Sequence, residues 1–125
     1  MEIDSFLDTF YETISFGFGE KFKSQAFRRL FLPNASLLEA RDGVYVRIDL
    51  ERHIADFEDA IENHPQLFKN GFLEKQLSRQ IIQSGARFLV SSIYRKSYAG
   101  VEETGVNNMI IVPRGDYSQI ASMVW

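Results

Sequence analysis

The hydrophobic period changes once along this chain of 125 residues, from helical in the first half to strand-like in the second, and that change excludes most architectures. Ile3, Phe6, Leu7, Phe10 and Ile14 recur every three or four residues with Asp4, Asp8 and Glu12 opposite, which predicts a helix over residues 3–15. Gly17-Phe18-Gly19 interrupts it. Phe22, Ala26, Phe27, Leu30 and Phe31 resume the helical spacing until Pro33, so a second helix is predicted to end near Leu30. A short extended run over residues 35–40, the turn Asp42-Gly43 and the β-branched run Val44–Ile48 follow. Asp49 then stands as an N-cap ahead of Leu50, Ile54, Phe57, Ala60 and Ile61, predicting a third helix over residues 50–63 that stops before Pro65.

From Gly71 the period becomes two. Leu73, Leu77 and Ile81 share one face of a strand, Ser84-Gly85 is a turn, and residues 87–98 form a long strand. An acidic turn over 100–105, a strand over 106–112, a loop at Arg114-Gly115-Asp116 and a last strand over 117–125 complete the pattern. Connections this short make the neighbours antiparallel. Helices first and strands afterwards is the order of an α+β fold, and with no repeat or linker residues 1–125 read as one domain.

Composition narrows the function classes. Eleven Phe and five Tyr against one Trp are enough rings to fill a core or to line an apolar cavity. Seventeen acidic and fourteen basic residues give a net charge of −3, which offers no general attraction to nucleic acid or to anionic membranes. The absence of cysteine excludes disulfides, thiolate nucleophiles and cysteine zinc sites. Met1-Glu2-Ile3-Asp4 is acidic rather than leader-like, and no apolar run approaches the roughly eighteen residues of a membrane helix. The expectation is a soluble, cytoplasmic protein.

No glycine-rich phosphate loop, HExxH or GxSxG motif is present, so candidate sites rest on placement. His53 borders the third apolar stripe, either as a general base at a cavity edge or as a half-exposed surface residue; His64 sits where a helix C-terminus favours it. Around the short strand and turn lie Glu39, Asp42 and Tyr45; Asp42 reads as a turn former, and Glu39 as the better acid. On the long strand Phe88, Val90, Ser92, Tyr94 and Tyr98 share a face expected to point inward, and Leu89, Ser91, Ile93 and Arg95 share the other. Tyr94 then serves as a donor to a ligand carbonyl or packs as a core ring. Arg79, between Leu77 and Ile81, is either a cavity cation or the partner of a carboxylate across the sheet. The ligand-binding set is Tyr45, Phe57, Arg79, Phe88, Ser92 and Tyr94, with Glu39, His53 and Tyr94 as the catalytic set and no metal ligands. Asn107 and Asn108 read as structural.

Gly105-Val106-Asn107-Asn108-Met109-Ile110-Ile111-Val112, then Gly115-Asp116 and Ile120-Ala121-Ser122-Met123-Val124-Trp125, resembles the terminal hairpin of uncharacterised bacterial members of the nuclear transport factor two-like superfamily, SnoaL-like and cystatin-like folds included. Leu30-Phe31-Leu32-Pro33-Asn34-Ala35 is similar to that superfamily's exit from its second helix, and Val90-Ser91-Ser92-Ile93-Tyr94 to its central strand. The resemblance implies a cone: three N-terminal helices on a strongly curved, mainly antiparallel sheet enclosing a largely apolar pocket, often in a homodimer through the outer sheet face. It implies a small-molecule pocket protein binding a mostly apolar ligand without a cofactor. The alternatives it leaves open are an isomerase, dehydratase or polyketide-cyclase-like enzyme using acid/base chemistry in the pocket, and a dimerisation module without a ligand.

Overall fold

The computed structural model describes residues 2–125. Helix α1 (Ile3–Ile14) buries Phe6, Leu7, Phe10 and Tyr11, the stripe its spacing dictates. Helix α2 is a short piece, Ser24–Arg28, with Phe27 buried. The second helix is thus shorter than its apolar spacing predicts: Phe22 precedes it, and by Phe31 the chain is already in strand β1 (Phe31–Arg41). Pro33 falls where β1 loses register with its neighbour, between Phe31 and Ser36, the irregularity that a residue without an N–H demands inside a sheet. Strand β2 (Val44–Ile48) returns along β1 through Asp42-Gly43, both at positive φ. Helix α3 (Leu50–Asn63) begins as expected at Asp49, whose carboxylate accepts the Arg52 N–H at 3.0 Å.

The remaining chain is sheet: β3 (Leu73–Ser84), β4 (Arg87–Tyr98), β5 (Val101–Arg114) and β6 (Tyr117–Val124). The six strands lie in the order β2-β1-β6-β5-β4-β3, antiparallel throughout except for the parallel pair β1–β6. The sheet is curved and the architecture α+β. The stretch over 100–105 is not an acidic turn. The chain reverses at Ala99-Gly100 and β5 starts at Val101, because Ala99 adopts φ 52°, a left-handed conformation that alanine seldom takes.

One departure from simple alternation places the site. Across β3–β4, Glu74 pairs with Lys96 and Gln76 with Tyr94, but Ser78 pairs with Ile93 and Arg79 with Ser92. Leu77 is the extra residue of a β-bulge. Paired residues share a sheet face, so even-numbered residues face inward before the bulge and odd-numbered ones after it. The expectation that Leu73, Leu77 and Ile81 share one face fails for this reason: Leu73 and Leu77 are 51% and 44% exposed, whereas Ile81 packs against the core. On β4 the inward face is the expected one, with Val90, Ser92 and Tyr94 buried and Leu89 and Ile93 outside.

The bulge makes two changes at one position mild. Leu77→Ala should cost about 1 kcal/mol or less, because the side chain is largely in water. Deleting Leu77 should also cost only about 1 kcal/mol, because Gln76 and Ser78 become neighbours, their pairs with Tyr94 and Ile93 become consecutive, and every inward residue of β3 stays inward. Urea denaturation of both variants measures this, and a loss of about 3 kcal/mol or more on deletion, as for a residue inside a regular ladder, would contradict the bulge.

Candidate functional site

Between the helices and the inner sheet face lies a cavity of about 300 Å³. One wall is rings. Phe57, on the inner side of α3, meets Phe72 at 5.1 Å and Phe68 at 5.9 Å, both edge to face, and Phe68 stacks on Tyr98 at 5.7 Å. Phe72 is fixed by paired backbone hydrogen bonds of 2.8 Å with Phe16, which tie the segment after α1 to the start of β3. The polar lining comes from every layer: Glu39 of β1, His53 of α3, Glu74 of β3, Tyr94 and Lys96 of β4, and Asn107 of β5.

Glu74 is the group whose chemistry changes most. Its backbone is clamped to the end of α1, the Glu74 N–H donating to Ser15 Oγ at 2.9 Å and that hydroxyl donating to the Glu74 carbonyl at 3.3 Å. Its side chain sits among rings, and burial pushes its carboxyl up to about 7 from an ordinary 4.5, with the Lys96 charge pulling the other way. Near neutral pH it is therefore part acid and part base. Tyr94, one pair along the sheet, is pushed up to about 12 by burial and then by the Glu74 charge, so its hydroxyl stays neutral and can donate. Tyr94 has room because Gly105 faces it across β4–β5: a Cβ at Gly105 would stand 2.6 Å from Tyr94 Cζ.

Two further groups complete the lining. Lys96 reaches Glu103 on the neighbouring strand at 3.3 Å and lies 5.9 Å from the centre of the Tyr98 ring. The His53 ring meets Trp125 edge to face at 5.4 Å, and burial lowers its proton affinity against the opposing pull of Glu39 and Asp56, so it is neutral at pH 7. Glu39 is engaged by the Arg41 guanidinium. Among the described residues no cluster of three or more His, Asp or Glu side chains is arranged to hold a metal ion.

No protein-family model matches this chain, and no curated protein matches it in sequence. Solved structures match it in shape. A protein of unknown function from Pseudomonas putida KT2440, described as NTF2-like, superposes with TM-score 0.72 at 8% identity over 98% of this chain and 82% of its own. A cystatin-like protein of unknown function from Nostoc punctiforme PCC 73102 gives 0.67 at 10% identity, covering 98% and 86%. This chain has the nuclear transport factor two-like fold. Bd1075 of Bdellovibrio bacteriovorus gives 0.73 at 11% identity over 98% of this chain, which spans only 38% of that protein's length.

Within this NTF2-like cone, the expected site residues divide. Glu39, His53, Phe57 and Tyr94 line the one cavity. Tyr45 does not: it stands on β2 with 66% of its surface exposed. Arg79 is held outside by two carboxylates of α1, Asp4 at 2.8 Å and Asp8 at 2.7 Å, rather than by a partner across the sheet. Phe88 packs against the core. Ser92 is fully buried beneath the cavity floor, 2.6 Å from the Tyr11 hydroxyl, to which Asn107 donates from Nδ2 at 3.1 Å. Gln76 joins that group; with its amide oxygen toward Arg79 Nε at 2.7 Å, its nitrogen donates to Ser92 Oγ at 2.6 Å.

Glu74 and Lys96 belong to the site and were not expected there. Strict alternation from Leu73 places Glu74 on the outer face, and only the pairing with β4 reveals the reversal. Phe68, Phe72 and Tyr98 likewise become a wall only when the segment after α3 folds back on β4.

Glu74 links stability to pH with a definite sign. Its folded proton affinity is raised, so its contribution is complete below pH 4.5 and is lost as pH climbs through 7. Glu74→Gln lacks this loss. From pH 4.5 to pH 8 the variant should gain on the order of 3 kcal/mol over the unaltered protein, measured by urea denaturation at both pH values. A difference that stays constant with pH would place the carboxyl in water.

Proposed function

We propose that this protein binds a small, mostly apolar molecule in the cone cavity, without a cofactor. The observation that carries this reading is a partly open cavity of about 300 Å³ lined by rings and by polar groups of four strands and one helix. That volume falls at the small end of the range for ligand sites and suits a molecule of one or two rings. The rings supply apolar area, and Tyr94, His53 and Asn107 supply hydrogen bonds that fix orientation.

A second reading, favoured by Glu74 and Tyr94 standing side by side, is acid/base chemistry of the isomerase, dehydratase or cyclase kind. A carboxylate takes a proton from the carbon next to a carbonyl while the neutral Tyr94 hydroxyl donates to the oxygen that gains charge. Glu74 suits the base role better than Glu39, which Arg41 engages. The exposed apolar residues of the outer sheet face, Leu89, Ile93 and Val106 among them, support pairing of two copies there.

The test is a calorimetric and thermal-shift titration with 2-naphthylmethanol. One saturable site is expected, with melting raised by roughly 5–10 °C at a hundredfold excess over Kd. Ala60→Phe, which adds a ring to the cavity lining, should abolish it. Unchanged binding in that variant, or no binding in the unaltered protein, removes the reading. In the same samples, deuterium uptake from D₂O by 2-tetralone, lost in Tyr94→Phe, reports the second reading, and sedimentation at twice the monomer mass reports pairing.

A further inference from the structure

The cavity's formal charges are largely cancelled before any molecule enters. Lys96 belongs to Glu103 at 3.3 Å, and Glu39 belongs to Arg41. Tyr94 is a neutral hydroxyl and His53 a neutral ring. Glu74 is different. Among the described residues no hydrogen bond and no ion pair reaches its carboxyl, although its backbone is clamped on both sides by Ser15 and it lines the cavity. A half-buried carboxyl that lines a cavity and has no hydrogen bond or ion pair of its own can take a partner from a ligand.

Its surroundings select the partner's charge. The rings of Phe57, Phe68, Phe72 and Tyr98 line the cavity, and an aromatic face attracts a cation and repels an anion. Lys96 already lies over one of those faces, at 5.9 Å from the Tyr98 centre, so the wall demonstrably accommodates positive charge. An anionic ligand would bring its charge beside two carboxylates, Glu39 and Glu74, and find both lysine and arginine already engaged.

Resting on the binding reading above, we propose that the molecule this cavity takes carries a basic nitrogen, seated as a cation on the Glu74 carboxylate with its apolar part against the ring wall. The class is a hydrophobic or aromatic amine. The pair forms in a half-buried site, where a charge-assisted hydrogen bond is stronger than at a fully exposed surface.

Binding is then linked to pH. The groups facing Glu74 are Tyr11 of α1, Tyr94 and Lys96 of β4, and Glu103 of β5 behind Lys96. Glu39 of β1 and His53 of α3 line the same cavity, while Asp8 and Glu12 of α1 and Lys75 and Arg79 of β3 line the hollow on the other side of Glu74. Burial lowers the proton affinity of His53, and Glu74 ionises between pH 6 and pH 8. Because only the ionised carboxyl takes the ammonium group, amine affinity should rise about tenfold between pH 6 and pH 8.

The experiment is calorimetric titration of three naphthalenes of matched size: 2-naphthylmethylamine, 2-naphthylmethanol and 2-naphthoate. At pH 8 the amine should bind at least about tenfold tighter than the alcohol, the expected worth of a partly buried charge pair, and the naphthoate weakest. The alcohol should show little change with pH. Glu74→Gln should bind amine and alcohol equally, and its cooperative unfolding in urea shows that the variant is folded. Alcohol binding as tight as the amine at pH 8, or an amine preference that survives Glu74→Gln, overturns the inference and leaves the binding reading standing. Failure of all three to bind overturns both.

Discussion

The site depends on one extra residue in one strand. Leu77 breaks the alternation of β3, and everything N-terminal to it turns through the sheet: Glu74 and Gln76 point in, Leu73 points out. A bulge disturbs only a few hydrogen bonds, yet it exchanges a lysine for a carboxyl at the cavity wall. Had the strand run regularly from its far end, Lys75 would stand opposite Lys96 on the inner face, Leu73 opposite Tyr98, and Glu74 would point outward. The cost is an ionisable side chain among rings, which the protein meets by letting the carboxyl keep its proton more readily.

The cavity survives because rings hold its walls apart. Phe57, Phe68, Phe72 and Tyr98 brace one another at centroid distances between 5.1 and 5.9 Å, so the wall does not slump into the space it borders. Beneath them a second layer is polar. Arg79, Gln76, Ser92, Tyr11 and Asn107 form a continuous hydrogen-bonded string from the surface carboxylates of α1 to the cavity floor. Every buried member has a partner, which fixes the floor geometrically and keeps α1 on the sheet.

The fold was largely legible and the site only partly. Helices α1 and α3 follow from their apolar stripes and from Asp49, and the inward face of β4 from Val90, Ser92 and Tyr94, because in each case one local period decides. What failed involved pairing. The turn at Ala99-Gly100 was hidden because alanine gives no turn signal, and β1 ran longer than expected through Pro33 because β6 supports it in parallel. Glu39, His53, Phe57 and Tyr94 were placed on faces that happen to converge, whereas Tyr45 and Arg79 were judged from strand neighbours alone and ended outside the cavity. Glu74 was invisible, since a bulge is a property of two strands and β3 by itself reads as regular.

The measurement that tests this account most directly is a carbon-13 NMR titration of the Glu74 side-chain carboxyl, assigned by comparison with Glu74→Gln. A carboxyl turned inward by the bulge and desolvated by the ring wall titrates with a midpoint of about 7. A midpoint at the ordinary 4.5 would mean that the side chain lies in water, and with it the bulge, the charge selection and the chemistry assigned to the cavity would fall.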